Sequence, residues 1–229
     1  MKKSLVVLGV LLVSLLGILI AVPILFKEDS KKAIDDAIAE HVNAHVFYDQ
    51  EGFSLSLFEN FPNFTFSMKD FGVSGIDTFA SDTLIQVASF EITLDLLSVI
   101  SGEQIMINEI SLKSPEITIL SLSDGQNNYD IFKETTDNTP SKTPTEEELT
   151  FSLAIKKWQI IDGNFTYDDL LNGIHTSLLG INHTGSGDFS QDIFDLMTKT
   201  TIVSVDLNYE GTNYLKEKTF DADLDMKMN

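Results

Sequence analysis

The stretch FSLSLFENFPNFTFSMKDFGVSG, residues 53–75, places six of the chain's 16 phenylalanines close together, and the spacing of those rings decides the fold. In FTFSM, Phe64, Phe66 and Met68 fall at every second position with Thr65 and Ser67 between them. Side chains two apart share a face only in a strand, so this is a strand with one apolar side. The pattern returns at residues 219–228, TFDADLDMKM, where Phe220, Ala222, Leu224, Met226 and Met228 alternate with Asp221, Asp223, Asp225 and Lys227. The sequence ends inside that strand with no turn after it, which reads as a truncation point.

Working outward, period-2 patterning begins near His45 and predicts strands over about 45–49, 53–58, 63–73, 83–96, 104–112 and 115–122. Turn chemistry separates them at Asp49-Gln50-Glu51-Gly52, Ser74-Gly75, Ser101-Gly102 and Ser114-Pro115. Within 83–96 the apolar parity moves from Ile85 and Val87 to Phe90, Ile92, Leu94 and Leu96, the signature of a β-bulge near Ala88. Residues 134–148 hold no apolar side chain and are rich in Thr, Pro, Asn and Glu, which predicts a solvated linker. A second block follows, with strands over 151–161, 163–168, 173–182, 201–209 and 218–228 and a short helix over 191–199 from Ile193, Phe194, Leu196 and Met197.

Ahead of the strands, residues 28–42 put Ala33, Ile34, Ala37, Ile38 and Val42 on one stripe, an amphipathic helix capped at Asp29 or Ser30. Before that helix, residues 4–26 are uncharged and mostly apolar. As a helix they span about 34 Å, enough to cross a hydrocarbon core of about 30 Å. The run is longer than a signal-peptide core and lacks a small-x-small cleavage site, so an uncleaved anchor is expected. Lys2 and Lys3 place its N-terminal tip in the cytoplasm, and the bulk of the chain on the far side. The expected divisions are therefore 1–27 (tip and anchor), 28–133 (helix and first β block), 134–150 (linker) and 151–229 (second β block).

Composition excludes several functions. The 229 residues carry 15 basic side chains, all lysine, against 35 acidic ones, a net charge of -20. Such a chain is unsuited to displacing counterions from phosphates, so no nucleic-acid partner is expected. With no cysteine there is no thiolate nucleophile, disulfide frame or Cys-based metal site. His41 and His45 are four apart without the glutamate of a zinc-protease helix, and His175 and His183 lack a ligand companion at useful spacing. Asp162, Asn164, Thr166 and Asp168 alternate like the start of a calcium loop, but Tyr167 stands where its glycine belongs and Gly173 where its glutamate belongs. No nucleophile elbow or phosphate-binding glycine loop occurs. These absences lead us to expect neither a cofactor nor an enzyme.

A one-faced sheet must bury its apolar side, and one or two short helices are too few to cover ten strands. From the residues alone two coverings stay open: a second sheet, giving a β-sandwich that serves as an anchored interaction scaffold for envelope proteins, or lipid tails.

The order of segments carries a further signal. An MKK start, a long anchor, a Lys-bearing amphipathic helix, SLSLFENFPNFTFSMKDFGVSG, FEITLDLLSVISGEQIMINEISLKSPEITIL, a DGQNNYDI turn and WQIIDGNFTYDD together resemble the N-terminal region of the AsmA family of Gram-negative envelope proteins. The resemblance implies a mainly β fold: a transmembrane helix and an amphipathic helix, then a curled antiparallel sheet forming an apolar groove similar to that of bridge-like lipid transfer proteins. It implies an inner-membrane, periplasm-facing location, phospholipid acyl chains as cargo, outer-membrane assembly as the setting and no reaction. Other envelope proteins are further expected partners. Transferred by strand parity, the groove face would carry Phe64, Phe66, Met68, Phe90, Ile92, Leu94, Ile105, Ile107, Ile117, Ile119, Phe220, Leu224 and Met226, extended by Trp158 and Ile160.

Overall fold

The computed structural model describes residues 38–57, 60–101, 106–133, 154–189 and 193–228, together with 28, 31, 32, 35, 36 and 191. The expected anchor (4–26), the expected linker (134–150) and Ile105 lie outside the described residues. Of the amphipathic stripe, so do Ala33, Ile34 and Ala37, whereas 28, 31, 32, 35, 36 and 38–41 are helical. Among the described residues no helix is long and apolar enough to cross a membrane.

The fold is mainly β. Ten strands follow in chain order: β1 (His45–Phe47), β2 (Ser54–Ser56), β3 (Phe64–Ser74), β4 (Thr83–Leu94), β5 (Met106–Ser121), β6 (Ala154–Ile155), β7 (Lys157–Asp169), β8 (Ile174–Ser186), β9 (Phe194–Tyr209) and β10 (Thr212–Met228). They form one sheet in the order β1-β3-β4-β5-β7-β8-β9-β10, with β2 also on β3 and β6 also on β5. The end strands β1 and β10 pair only inwards, so the sheet is open. All ten strands belong to this single sheet, so the two stacked sheets of the sandwich reading are not found among the described residues.

Four expectations are corrected. The sheet is not wholly antiparallel, because β5 runs parallel to β6 and β7. A hairpin cannot make a parallel neighbour, but the long connection between Ser121 and Lys157 can carry the chain back to the starting end. The breaks expected at Ser114-Pro115 and near Asp162 are absent, and β5 and β7 each run through. The helix expected over 191–199 is the start of β9, since Phe194, Leu196, Thr198 and Thr200 alternate and both β8 and β10 pair with this segment. Finally, Leu96, expected within a strand, opens the helix α1 (Leu96–Ser101). Asp95 caps it, its carboxylate accepting from the Ser98 backbone N–H at 2.9 Å.

The same local device explains the uninterrupted strands. On β3, β4 and β5 the pairing skips Asp70, Ala88 and Ser114, yet keeps register on both sides. Asp70 and Ser114 have φ of 48° and 46°, the left-handed region. The irregularity continues at the same level through Asp162 (φ 53°) on β7, Gly180 (φ 64°) on β8 and Val203 on β9, whereas on β10 it is offset, with Glu217 (φ 49°) falling between the Leu215–Leu207 and Lys218–Val205 pairs. The long strands from β3 to β9 thus carry an extra residue in a common row, and β10 has its own irregularities displaced along the strand. Apolar positions three apart, such as Met68 and Phe71, or Phe90 and Val87, therefore stay on the same side of the sheet.

The helical segment is tied to the sheet. Tyr48 Oη donates to Asp35 Oδ1 at 2.7 Å. Burial first, and then that neighbouring carboxylate, push the Tyr48 hydroxyl up to about 12. The helix end is held from the other side by residues 131–133: Asn43 N–H donates to Ile131 O at 2.6 Å and Lys133 N–H to His41 O at 3.0 Å.

Candidate functional site: an apolar face across the sheet

Cross-strand register assembles the face rung by rung. One rung runs Met68, Phe90, Leu112, Ile160, His183, Thr200, Ala222 from β3 to β10. Its neighbour runs Phe66, Ile92, Ile110, Trp158, Gly185, Thr198, Leu224. Beyond the extra-residue row, Val73, Ile85, Ile117, Phe165, Leu178 and Val205 form a third. Phe64 faces Leu94, which meets Ile107 after a register shift, Ile119 faces Tyr167, Phe220 faces Ile202, and Met226 faces Leu196. Of the residues named from the sequence, only Ile105 is left without a place.

The opposite side of the same strands is polar. Lys113 meets Glu91 at 2.9 Å, Lys157 meets Glu109 at 3.1 Å and Lys199 meets Asp223 at 3.5 Å, each pair bridging neighbouring strands. Exposed pairs of this kind add little stability, but they mark which side faces water. A hollow of about 430 Å³ has Lys157, Lys199, Asp223 and Asp225 on its rim together with Met197 and Leu224.

Burial along the apolar face is graded. At the β2–β5 end Phe53 is 0%, Val87 1% and Met68 3% exposed. Phe53 meets the Phe66 ring edge-on at 5.0 Å, and Phe66 meets Phe90 at 6.4 Å, the geometry that ring quadrupoles favour. Ile38, from the helical segment, roofs this end and leaves a cavity of about 420 Å³. Its walls are Phe66, Met68, Phe71, Ile85, Val87, Phe90, Ile92 and Leu112, with no polar side chain among them. At the β10 end the face has no roof among the described residues: Phe220 is 48%, Leu224 46% and Met226 38% exposed.

Two polar features border the face. Toward its far end Tyr167 Oη donates to Asp169 at 3.2 Å, and the Asn172 side-chain amide, then its backbone N–H, hold the Asp169 carboxyl below the usual carboxylate range. Burial, and then Asp169, push the Tyr167 hydroxyl up. In the middle of the face, Trp158 Nε1–H donates to His183 Nε2 at 2.9 Å, and His183 Nδ1 lies 2.8 Å from Thr200 Oγ1. Strand parity put Trp158 on this face, but His183 and Thr200 were missed because neither residue is apolar; only their position between Ile181 and Gly185, and between Thr198 and Ile202, could have flagged them.

Among the described residues no three His, Cys, Asp or Glu side chains gather as a metal site would require. The histidines are engaged elsewhere: His45 stacks on Phe47 at 5.8 Å, and His175 bonds Asp168 on the polar side. Asp162 sits in the extra-residue row and not in a cation loop.

A model of the AsmA family matches residues 1–222 of the chain. No curated protein matches it.

Proposed function

The chain belongs to the AsmA family, and from that premise we propose that it is a non-enzymatic, inner-membrane-anchored periplasmic protein that holds lipid acyl chains on its apolar sheet face. In that role it contributes to phospholipid transport and outer-membrane assembly. The observation that carries the reading is the two-sidedness of an open sheet: one largely apolar, uncharged side along these rungs from β3 to β10, and one charged side. A sheet that simply stored its apolar side as core would bury it throughout, whereas here Phe220, Leu224 and Met226 stay open.

The dimensions suit lipid. Seven strands, β3 to β5 and β7 to β10, at about 4.8 Å spacing give a face roughly 29 Å wide. One leaflet's tail occupies about half of a hydrocarbon core of about 30 Å, so a tail lies comfortably across several strands. Each methylene it buries contributes about 0.8 kcal/mol, enough for retention without a headgroup pocket. The roofed cavity under Ile38 supplies the most enclosed part of the path, and the net charge of -20 keeps the outer side solvated.

The test is extraction of the full chain from membranes in mild detergent, exchange into lipid-free detergent, and mass spectrometry of what stays bound. Phospholipid retained in stoichiometric amount supports the reading; a folded chain that retains none refutes it.

A further inference from the structure

The Trp158, His183 and Thr200 side chains interrupt an otherwise apolar face on three adjacent strands, and their chemistry fixes which way the hydrogen bonds run. An indole N–H only donates, so His183 Nε2, 2.9 Å away, must accept. The imidazole proton then sits on Nδ1 and is donated to Thr200 Oγ1 at 2.8 Å. Thr200's oxygen is occupied as an acceptor, while its own proton has no acceptor among the described residues. The relay therefore ends in a hydroxyl that is polarised towards donation and whose proton meets no acceptor among the described residues.

The surroundings are shaped to hold this relay in place. A Cβ on Gly185 would lie 2.1 Å from the indole ring, so only glycine lets Trp158 lie across β8 and reach His183. Phe189 packs against the indole at 5.6 Å and against Phe194 at 4.8 Å, with the rings tilted by 46° and 56°, extending an aromatic floor beside the relay. Every other residue of the relay's two rungs is uncharged, including Ile160, Thr198, Ala222 and Leu224. Lys199, the nearest basic neighbour in sequence, points to the other side, where it pairs with Asp223 at 3.5 Å.

We propose that the Trp158–His183–Thr200 relay is a ligand-positioning site that donates one hydrogen bond, from the Thr200 hydroxyl, to the ester carbonyl of an acylated lipid lying on the aromatic floor. This rests on the lipid-holding reading above and names the part of the lipid that is recognised. A phosphate does not suit the site, because no cation stands on these rungs to neutralise it, and a bare hydrocarbon leaves the donor unpaired, which is costly once water is excluded. An ester carbonyl is an uncharged acceptor that adjoins the tail, which matches one donor in an apolar field.

The experiment loads the full chain in detergent with an equimolar mixture of diacyl and dialkyl-ether phosphatidylethanolamine of matched chain length, and reads the bound ratio by mass spectrometry. The ether lipid keeps the headgroup and tails and lacks only the carbonyls. The wild-type chain is expected to hold the diacyl form about fivefold over the ether, the worth of one net hydrogen bond. Thr200→Val, close to isosteric but without the hydroxyl, brings the ratio to parity while total lipid is retained, and Thr200→Ser restores the preference. Binding of both lipids at parity by the wild-type chain, or an unchanged preference in Thr200→Val, overturns the site and leaves the lipid reading standing. Absence of either lipid from every variant overturns both.

Discussion

Replacing Phe220 and Leu224 together by aspartate separates a lipid-holding face from a core. Both lie on β10, 48% and 46% exposed, on rungs that lead inwards through Ile202 and Thr198. Complete burial of such a side chain stabilises by about 1.5–3 kcal/mol, and roughly half of that is unrealised in the protein as it stands. A tail covering both residues would therefore gain about 1 kcal/mol from each, some 2 kcal/mol in all, which is about 30-fold in affinity. Two carboxylates facing the tail add a desolvation penalty, so about 30-fold is the smallest loss expected. Stability should fall by about 2 kcal/mol at most, the half of the burial that the two positions already realise. Val87→Asp is the contrasting control: at 1% exposure it buries an unpaired charge and should cost several kcal/mol. The assay is bound phospholipid per chain alongside denaturant unfolding of wild type, the double variant and the control. A double variant that unfolds as readily as Val87→Asp would show that the open rungs are core; one that keeps both its fold and its full lipid load would refute the lipid-holding face.

Trp158 is the chain's single tryptophan, so its fluorescence reports the relay directly. Gly185→Val should displace the indole, break its bond to His183 and red-shift the emission, whereas unchanged emission would mean that the close approach at 2.1 Å is not required. The folded Tyr48 hydroxyl, pushed up to about 12 from an ordinary value of 10.0, binds its proton more tightly than in the unfolded chain. Its stabilising contribution is fully present below pH 10, falls as pH rises from 10 to about 12, and should be missing from the alkaline stability profile of Tyr48→Phe. Ser114, at φ 46° in the extra-residue row, should accept glycine without loss, while Ser114→Val should lose about 1–2 kcal/mol on chemical unfolding.

The strand face was legible because alternation is a local property. Phe64, Phe66 and Met68 announce it within five residues, and register then carries the same side to Phe220 and Leu224. What misled was also local. Ser114-Pro115 and Asp162-Gly163 have turn composition, yet in the sheet each marks one inserted residue with pairing on both sides. Ile193, Phe194, Leu196 and Met197 fit a helical stripe as well as a strand, and only flanking strands β8 and β10 decide between them. The parallel β5–β7 junction depends on where a long connection delivers the chain, which no residue within it specifies. His183 and Thr200 were illegible because their polarity hides their place on the face.

The row of inserted residues from Asp70 to Val203 also bears on how the sheet finds its alignment. Strands of 16 and 17 residues, with Thr and Asp repeated along one side, would otherwise offer many near-equivalent alignments two residues apart. An irregular position shared from β3 to β9 breaks that equivalence, since sliding any one of these strands would set its insertion against a regular stretch of its neighbour. The row works as an index mark cut across β3 to β9, and it holds them to one alignment.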